Sequence, residues 1–165
     1  MKTLVLIRHA KTENYAATGG DFNRQLTARG RQDAAMMAIR LKEKNIIPDI
    51  IVASLAKRAS QTAAIIAEQL QLPAGRIEGS QMLYQSTPSV FAEKIALLPD
   101  EVATVFIIAH NPGITDFANE QIYPQTISHI PTCGMVALRF NALRWQDMPA
   151  ADISCLFFDY PKNIS

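Results

Sequence analysis

Apolar residues follow two alternating patterns along the chain: short continuous runs, and longer stretches in which they recur with helical spacing. A continuous apolar run is typical of a strand that is covered on both faces. Such runs predict strands at residues 3–7, 50–53 and 103–110. Two further apolar segments, residues 133–140 and 153–160, are predicted to be strands that pair with each other.

The stretches between these strands have the periodicity and the capping residues of helices. Thr27 can cap one helix, and Thr87 followed by Pro88 is a cap with a first-turn proline. The predicted helices cover residues 28–44, 55–72, 88–97 and 114–122. Strands alternating with helices in this way predict an α/β fold, a three-layer α/β/α sandwich with a largely parallel central sheet.

Composition narrows the picture to one domain over residues 1–165, of which 48% are apolar. Sixteen basic against fifteen acidic residues leave a net charge of +1, so we expect neither a nucleic acid nor a membrane as partner. The apolar run before Arg8 is too short for a signal peptide, which makes the cytoplasm the expected location. Cys133 and Cys155 lack metal or redox spacing, and both are expected to be buried thiols.

Three of the predicted strands end in residues that suit anion binding. Arg8 and His9 follow the first strand, Ser54 follows the second with Arg58 one helical turn later, and His110 ends the long apolar run. Ligands of parallel sheets bind outside the carboxyl ends of the strands. These strand ends are therefore predicted to share one pocket that holds two imidazoles and two guanidiniums.

Each of these residues alone has an ordinary structural explanation, such as a hydrogen-bonded histidine after a strand. Two of the three histidines, however, hold the same position directly after an apolar strand. A metal site is the alternative, but the neighbouring guanidiniums would repel a divalent cation. Guanidiniums bind phosphate bidentately, and a neutral imidazole is a nucleophile toward phosphorus. We therefore expect a phosphoryl site with neither a metal nor a cofactor.

Five ordered segments carry a resemblance to a known family: "LVLIRHAKTE", "DFNRQLTARGRQDA", "PDIIVASLAKRASQTA", "VFIIAHNPGITDFA" and "IPTCGMVALRF". Together they resemble the histidine phosphatase superfamily, with its phosphoglycerate mutase-like fold, and within it the small SixA-like phosphohistidine phosphatases. Ala10 stands where the superfamily most often has Gly, and Leu55 with Ala56 where a Pro after the Ser is common. Neither change removes a reacting group.

The resemblance implies a role for each residue of the predicted pocket. His9 would attack phosphorus and become transiently phosphorylated, while Arg8, Arg58 and His110 would hold the phosphoryl oxygens. Asn111 stands where acid phosphatases of the superfamily carry a proton-donating Asp. Its amide can bind a substrate but cannot supply a proton.

Three further residues are candidate substrate contacts. Arg24, together with Asp21, lies in a stretch similar to a recurrent family segment, although a salt-bridged loop that positions the first helix explains it equally well. Lys11 could add positive charge at the rim of the pocket, and Thr132 could approach the pocket from the "IPTCG" segment.

The resemblance implies a metal-independent phosphatase that acts on phosphohistidine, carried by a partner protein or by a small phosphorylated compound. Residues 79–92 contain no Asp or Glu, so the general acid that an alkoxide leaving group requires is missing there. Glu13 or Glu78 could still take that role. Phosphohistidine needs less help, because its leaving imidazole has a reference pKa of about 6.5.

Two other functions stay open, a general small-molecule phosphomonoesterase and a catalytically weak module that binds phosphate or a phosphoprotein. A phosphoglycerate-type mutase would need insertions that enclose a sugar-sized substrate. The connection from the second helix to Thr87 is too short for a capping subdomain, which predicts an open cleft.

Overall fold

A computed structural model describes residues 1–164 of the chain, in which six strands form one central sheet. In chain order the strands are β1 (Lys2–Arg8), β2 (Ile50–Ser54), β3 (Ile77–Ser80), β4 (Thr104–Ala109), β5 (Met135–Phe140) and β6 (Ile153–Asp159). Their order across the sheet is β3-β2-β4-β1-β5-β6. The first four strands run parallel, and β5 and β6 are antiparallel to their neighbours.

Four α-helices lie on the two faces of this sheet. They are α1 (Ala28–Glu43), α2 (Lys57–Gln69), α3 (Pro88–Ala96) and α4 (Gly113–Ile122). One core contains the buried sides of α1 and α2, and the other contains those of α3 and α4. The predicted α/β/α sandwich with a largely parallel sheet is therefore confirmed. Within residues 1–164, no helix has the length and apolarity that crossing a lipid bilayer requires.

Local chemistry explains where the helices begin. The Thr27 side chain accepts a hydrogen bond from the Gly30 amide at 2.9 Å and caps α1, as predicted. Pro88 is the first residue of α3 and follows the extended residue Thr87. Ser54 is the last residue of β2 and not the start of a helix, because α2 begins three residues later at Lys57.

The sequence analysis did not identify one strand, and its prediction for one cysteine is wrong. Strand β3, with the sequence "IEGS", has a single large apolar residue, and its pairing with β2 holds it in the sheet without an apolar pattern of its own. Cys155 lies exposed on the edge strand β6, where one side of the strand faces solvent, whereas Cys133 is buried as predicted.

The parallel register brings the ends of the central strands together. Arg8 at the end of β1 is paired with Ala109 at the end of β4, and Ala53 near the end of β2 is paired with Ile108. The residues that follow β1, β2 and β4 therefore emerge side by side at one edge of the sheet.

The contact between α1 and the chain after β1 yields a stability prediction. A Cβ added at Gly30 would lie 2.2 Å from the backbone oxygen of Lys11, so Gly30→Ala forces the backbone apart. We expect a loss of about 1–3 kcal/mol, the usual cost of overpacking, and a fall in Tm of roughly 2–10 °C. Gly75→Ala is the control, because no heavy atom lies within 4 Å of the added Cβ. Equal melting temperatures in calorimetry of the two variants would contradict the prediction.

Candidate active site

Two histidine rings meet at the carboxyl edge of the sheet. His9 directly follows β1 and His110 directly follows β4, and their ring centroids are 5.2 Å apart with the planes inclined by 50°. The side chains are almost entirely covered, since His9 is 7% and His110 8% exposed. The predicted convergence of the two imidazoles is therefore present.

The tautomer of His9 follows from its hydrogen bond. Nδ1 lies 2.8 Å from the carbonyl oxygen of Ala10, which can only accept, so Nδ1 carries the proton and Nε2 has a free lone pair. Burial lowers the pKa of His9 to about 3, and repulsion by His110, Arg58 and Arg8 acts in the same direction against the Ala10 bond. His9 is accordingly neutral at pH 7, the state that a nucleophile requires.

Backbone bonds hold His9 rigidly. Its carbonyl accepts from the Cys133 amide at 3.0 Å, and its amide donates to the Ala109 carbonyl at 3.2 Å. The next amide, that of Ala10, donates to Oγ1 of Thr62 on α2 at 3.0 Å. Three elements of the fold thus determine the direction of one imidazole.

Ser54 orients the His110 ring through a hydrogen bond that the sequence did not predict. Its Nε2 lies 2.8 Å from Ser54 Oγ, and that oxygen also accepts from the Ala56 amide at 3.2 Å. Burial lowers the pKa of His110 to about 4, assisted by the charge of Arg58. This ring too is neutral at pH 7.

Two polar atoms of the pocket are left without a protein partner. Within residues 1–164, the buried side-chain nitrogen and oxygen atoms that lack a hydrogen bond are Arg8 Nε and His110 Nδ1. The Arg8 side chain is otherwise anchored, since Nη1 donates to the Ile130 carbonyl at 3.1 Å. Unpaired buried polar atoms are rare in folded proteins. Both of these belong to the four residues predicted to bind the phosphoryl group, which we call the phosphoryl clamp: Arg8, His9, Arg58 and His110.

Arg58 reaches the same pocket from the first turn of α2. Burial lowers the pKa of Arg8, and the charge of Arg58 lowers it further, which shows that the two guanidiniums repel each other. An anion between them relieves this repulsion. The charges and the unpaired donors therefore suit a phosphoryl group.

A short turn covers the outer side of Arg58. Asp21 lies in a 3-10 turn over Gly20–Asn23. Its backbone carbonyl accepts a hydrogen bond from Arg58 Nη1 at 2.8 Å, and its Oδ2 accepts one from Arg58 Nη2 at 3.0 Å. Tyr84 also donates to Oδ2, at 2.8 Å, and Arg24 donates to Oδ1, at 3.0 Å. Burial disfavours ionisation of Asp21, but hydrogen bonds from Tyr84, Arg24 and Arg58 outweigh it and lower its pKa to about 2.

Arg24 acts through this turn. Besides Asp21 it donates to the Glu13 carbonyl at 3.0 Å and to the Thr12 hydroxyl, so it ties the turn to the chain after β1. Of the two explanations that the sequence allowed, the structure shows the salt-bridged loop. Arg24 contacts Asp21 and is not one of the four residues of the phosphoryl clamp.

The Asn111 amide has partners within the protein. Its Nδ2 donates to the Ile130 carbonyl at 3.0 Å, and its Oδ1 accepts from Thr115 at 2.6 Å. The same Ile130 carbonyl accepts from Arg8. Asn111 therefore fixes the carbonyl that anchors Arg8, and the predicted contact with substrate stays a prediction.

Lys11 and Thr132 do not join the clamp either. They line a separate cavity of about 400 Å³, beside Arg29 and Asp33 of α1. The chain turns away from the pocket after His9 because the Lys11 carbonyl accepts from the Thr27 amide at 3.0 Å, next to the start of α1. The prediction that these two residues contact substrate is thus not supported.

Aromatic side chains lie beside the His110 ring. The connection between α2 and α3 contains only β3 and two 3-10 turns. The Tyr84 ring lies 5.6 Å from that of His110, and it packs against Phe22 of the Gly20–Asn23 turn at 5.1 Å. The open cleft predicted from the sequence stays a prediction, since His9 is only 7% exposed.

Within the described part of the chain, no group of three or more His, Cys, Asp and Glu side chains could hold a metal ion. The positive charge of the pocket comes from Arg8 and Arg58.

Comparisons with known proteins agree with this fold. Residues 4–79 match the family model of the histidine phosphatase superfamily, branch 1. The protein histidine phosphatase SixA in complex with tungstate has the same fold, with a TM-score of 0.84 and 22% identity over 99% of each chain. An uncharacterised protein of Mycobacterium tuberculosis is 28% identical over 165 residues, 94% of this chain and all of that protein. Phosphoglycerate mutase 1 of Saccharomyces cerevisiae is 38% identical over 81 residues, 46% of this chain and 33% of the mutase.

The fold is of the phosphoglycerate mutase-like type, and two histidines are paired at the edge of its sheet. Over residues 4–79 the chain is similar to the histidine phosphatase superfamily, branch 1, and its whole fold is similar to that of SixA.

The two neutral histidines predict a marked dependence of stability on pH. In the folded protein the pKa is about 3 for His9 and about 4 for His110, below the reference value of 6.5. At a pH between these folded values and 6.5, the unfolded chain therefore binds more protons than the folded protein. The free energy of unfolding should therefore fall as the pH falls, by roughly 2 kcal/mol per unit near pH 5.5 for the two together.

Urea denaturation between about pH 5 and 7 measures this dependence. His9→Asn removes one titrating ring and should reduce the slope by about half. A slope that is the same in the variant and the wild type would show that His9 is not held neutral by the fold.

Proposed function

We propose that this protein is a metal-independent phosphatase that hydrolyses phosphohistidine through a phosphorylated intermediate on His9. The observation that carries the proposal is the tautomer of His9, whose Nε2 lone pair is free because the Ala10 carbonyl holds the proton on Nδ1. The unpaired Arg8 Nε supplies a donor for a phosphoryl group beside it, and His110 Nδ1 supplies a second one in the tautomer in which the Ser54 hydroxyl donates to Nε2.

In the first step, His9 Nε2 attacks phosphorus and the bond to the leaving group breaks. Arg8, Arg58 and His110 stabilise the charge that spreads over the phosphoryl oxygens, which is the main contribution a protein can make to phosphoryl transfer. In the second step, water attacks phospho-His9, the electron pair of the N–P bond returns to Nε2, and inorganic phosphate leaves.

The choice of substrate rests on the groups that could protonate a leaving atom. Asp21 has a pKa of about 2, so at pH 7 its carboxylate has no proton to donate. The Asn111 amide is held by Ile130 and Thr115, and the Glu78 carboxylate is paired with Lys94 at 2.9 Å. None of these residues can therefore protonate an alkoxide leaving group. An imidazole leaving group does not require protonation of the nitrogen that was bonded to phosphorus.

Access supports a phosphoryl group that is carried on another protein. The connection between α2 and α3 adds no subdomain above the pocket, and the rim consists of the Gly20–Asn23 turn and Tyr84. A phosphohistidine side chain on the surface of a partner could enter between them. The similar SixA structure is that of a protein histidine phosphatase, which agrees with this proposal.

A substrate panel tests the proposal. We expect hydrolysis of a phosphohistidine protein and weaker hydrolysis of aryl phosphates, while a phosphoserine peptide should be at least about a hundredfold slower, the low end of what a general acid contributes. The same phosphoryl donors should label the protein with an acid-labile, base-stable phosphate.

The matched control is His9→Ala, which should abolish both turnover and labelling and leave the circular dichroism spectrum unchanged. Comparable rates on phosphoserine and phosphohistidine would show that a general acid is present. Tight phosphate binding by the wild type without turnover or labelling would instead favour the binding module.

A further inference from the structure

The Asp21 carboxylate lies on the outer side of the phosphoryl clamp. Its side chain is 49% exposed, whereas that of Arg58, to which it is bonded, is 8% exposed. Asp21 is thus the solvent-side neighbour of Arg58. In an in-line displacement the leaving group departs on the side opposite to the attacking nitrogen. A leaving group that departs from the buried His9 moves toward solvent, the side on which the Asp21 carboxylate is exposed.

The Asp21 carboxylate places a negative charge beside the predicted phosphoryl site, and this charge requires an explanation. The donors that face Asp21 are Arg24 from its own segment, Arg58 from α2 and Tyr84 from the connection after β3, and the neutral His110 ring lies beyond Tyr84. These bonds keep Asp21 ionised, although an anion next to a phosphoryl site repels the substrate. Besides holding Arg58, the carboxylate favours a substrate whose leaving group carries a proton that it can accept in a hydrogen bond.

We propose that Asp21 determines substrate specificity by accepting a hydrogen bond from the distal ring N–H of a substrate phosphohistidine. This inference rests on the proposed function and names the residue that selects the substrate. The Asp21 Oδ1 and Oδ2 atoms already receive bonds from Arg24, Arg58 and Tyr84, but a carboxylate offers about four lone-pair sites. One further donor can therefore be accommodated.

The chemistry of the step explains the benefit. The substrate ring carries phosphorus on one nitrogen and a proton on the other, and the Asp21 carboxylate stabilises this cationic form. His9 Nε2 bonds to phosphorus, the N–P bond of the substrate breaks, and its electron pair stays on the substrate nitrogen. The departing imidazole is neutral and keeps its proton on the distal nitrogen, so no proton moves during the transfer.

The same arrangement exists on the other side of the phosphoryl group. The Ala10 carbonyl holds the proton on Nδ1 of His9 while Nε2 bonds to phosphorus. His9 and the substrate imidazole thus each have a distal N–H bound to a fixed acceptor. Phosphorus passes between two similar nitrogens, and both are better leaving groups than an alkoxide.

A purely positioning role of Asp21 makes a different prediction. Asp21 also holds Arg58 through its backbone carbonyl, and this bond survives a change of side chain. A substitution that only disturbed Arg58 would weaken turnover of every phosphate substrate alike. The diagnostic quantity is therefore the ratio of kcat/KM for a phosphohistidine peptide to kcat/KM for 4-nitrophenyl phosphate.

The test compares the wild type with Asp21→Asn, which removes the charge and keeps an oxygen acceptor. We expect the ratio to fall by about tenfold or more, as for the loss of a hydrogen bond to a charged group. The alkaline limit of phosphohistidine hydrolysis should move to lower pH by about one unit, because the substrate ring loses the carboxylate that favours its protonated form. Turnover of 4-nitrophenyl phosphate should fall less than that of phosphohistidine, since its leaving group has no N–H to bind and only the effect on Arg58 remains.

Two further variants keep the test decisive. Asp21→Ser removes the charge with a smaller side chain and should lower the ratio as Asp21→Asn does, which covers the case in which Asn disturbs the turn. Tyr84→Phe removes one donor to the carboxylate but keeps its charge, and should leave the ratio within about threefold of the wild type.

An unchanged ratio in both folded Asp21 variants, or an equal loss on both substrates, would overturn the assignment of Asp21. Such a result would leave the proposed function intact. The proposed function itself fails if the wild type does not hydrolyse phosphohistidine, whatever the Asp21 variants do.

Discussion

The structure depends on one electrostatic constraint, the burial of two guanidiniums and two imidazoles in a single pocket. Arg8 and Arg58 carry fixed positive charge into the edge of the sheet, and burial with these charges makes protonation of His9 and His110 unfavourable. Both rings are therefore neutral, and the pocket attracts an anion through the guanidiniums alone. A nucleophilic lone pair and a phosphate-binding field result from the same arrangement.

The sheet provides the geometry that this arrangement needs. Because β1 and β4 are parallel neighbours, the residues that follow them lie side by side, and backbone bonds fix the rings at 5.2 Å. The supporting contacts come from segments distant in the chain: Thr62 holds the Ala10 amide, Ser54 holds His110, and Ile130 holds Arg8. The proposed catalytic cluster is thus built on strand ends and helix starts, which are more rigid than loops.

The sequence predicts the parts of this site that depend on local pattern. Continuous apolar runs identify β1, β2 and β4, and the polar residues after them identify His9, Arg58 and His110. Side-chain partners are set by tertiary packing and leave no such pattern. Asp21 is 37 residues from Arg58 and 63 from Tyr84, so nothing local links the three. For the same reason the sequence suggested Asn111, Lys11 and Thr132 as substrate contacts, whereas the fold uses Asn111 to hold Ile130 and places the other two on a separate cavity.

The most direct test of the central claim is the protonation state of His9 itself. Long-range proton–nitrogen NMR of the histidine side chains, assigned with His9→Asn, reports which ring nitrogen carries the proton across the pH range. We expect His9 to hold its proton on Nδ1, to have an unprotonated Nε2, and to stay neutral well below the reference pKa of about 6.5. A His9 ring that titrates near that value, or that carries its proton on Nε2, would contradict the assignment of His9 as a nucleophile held ready by the fold.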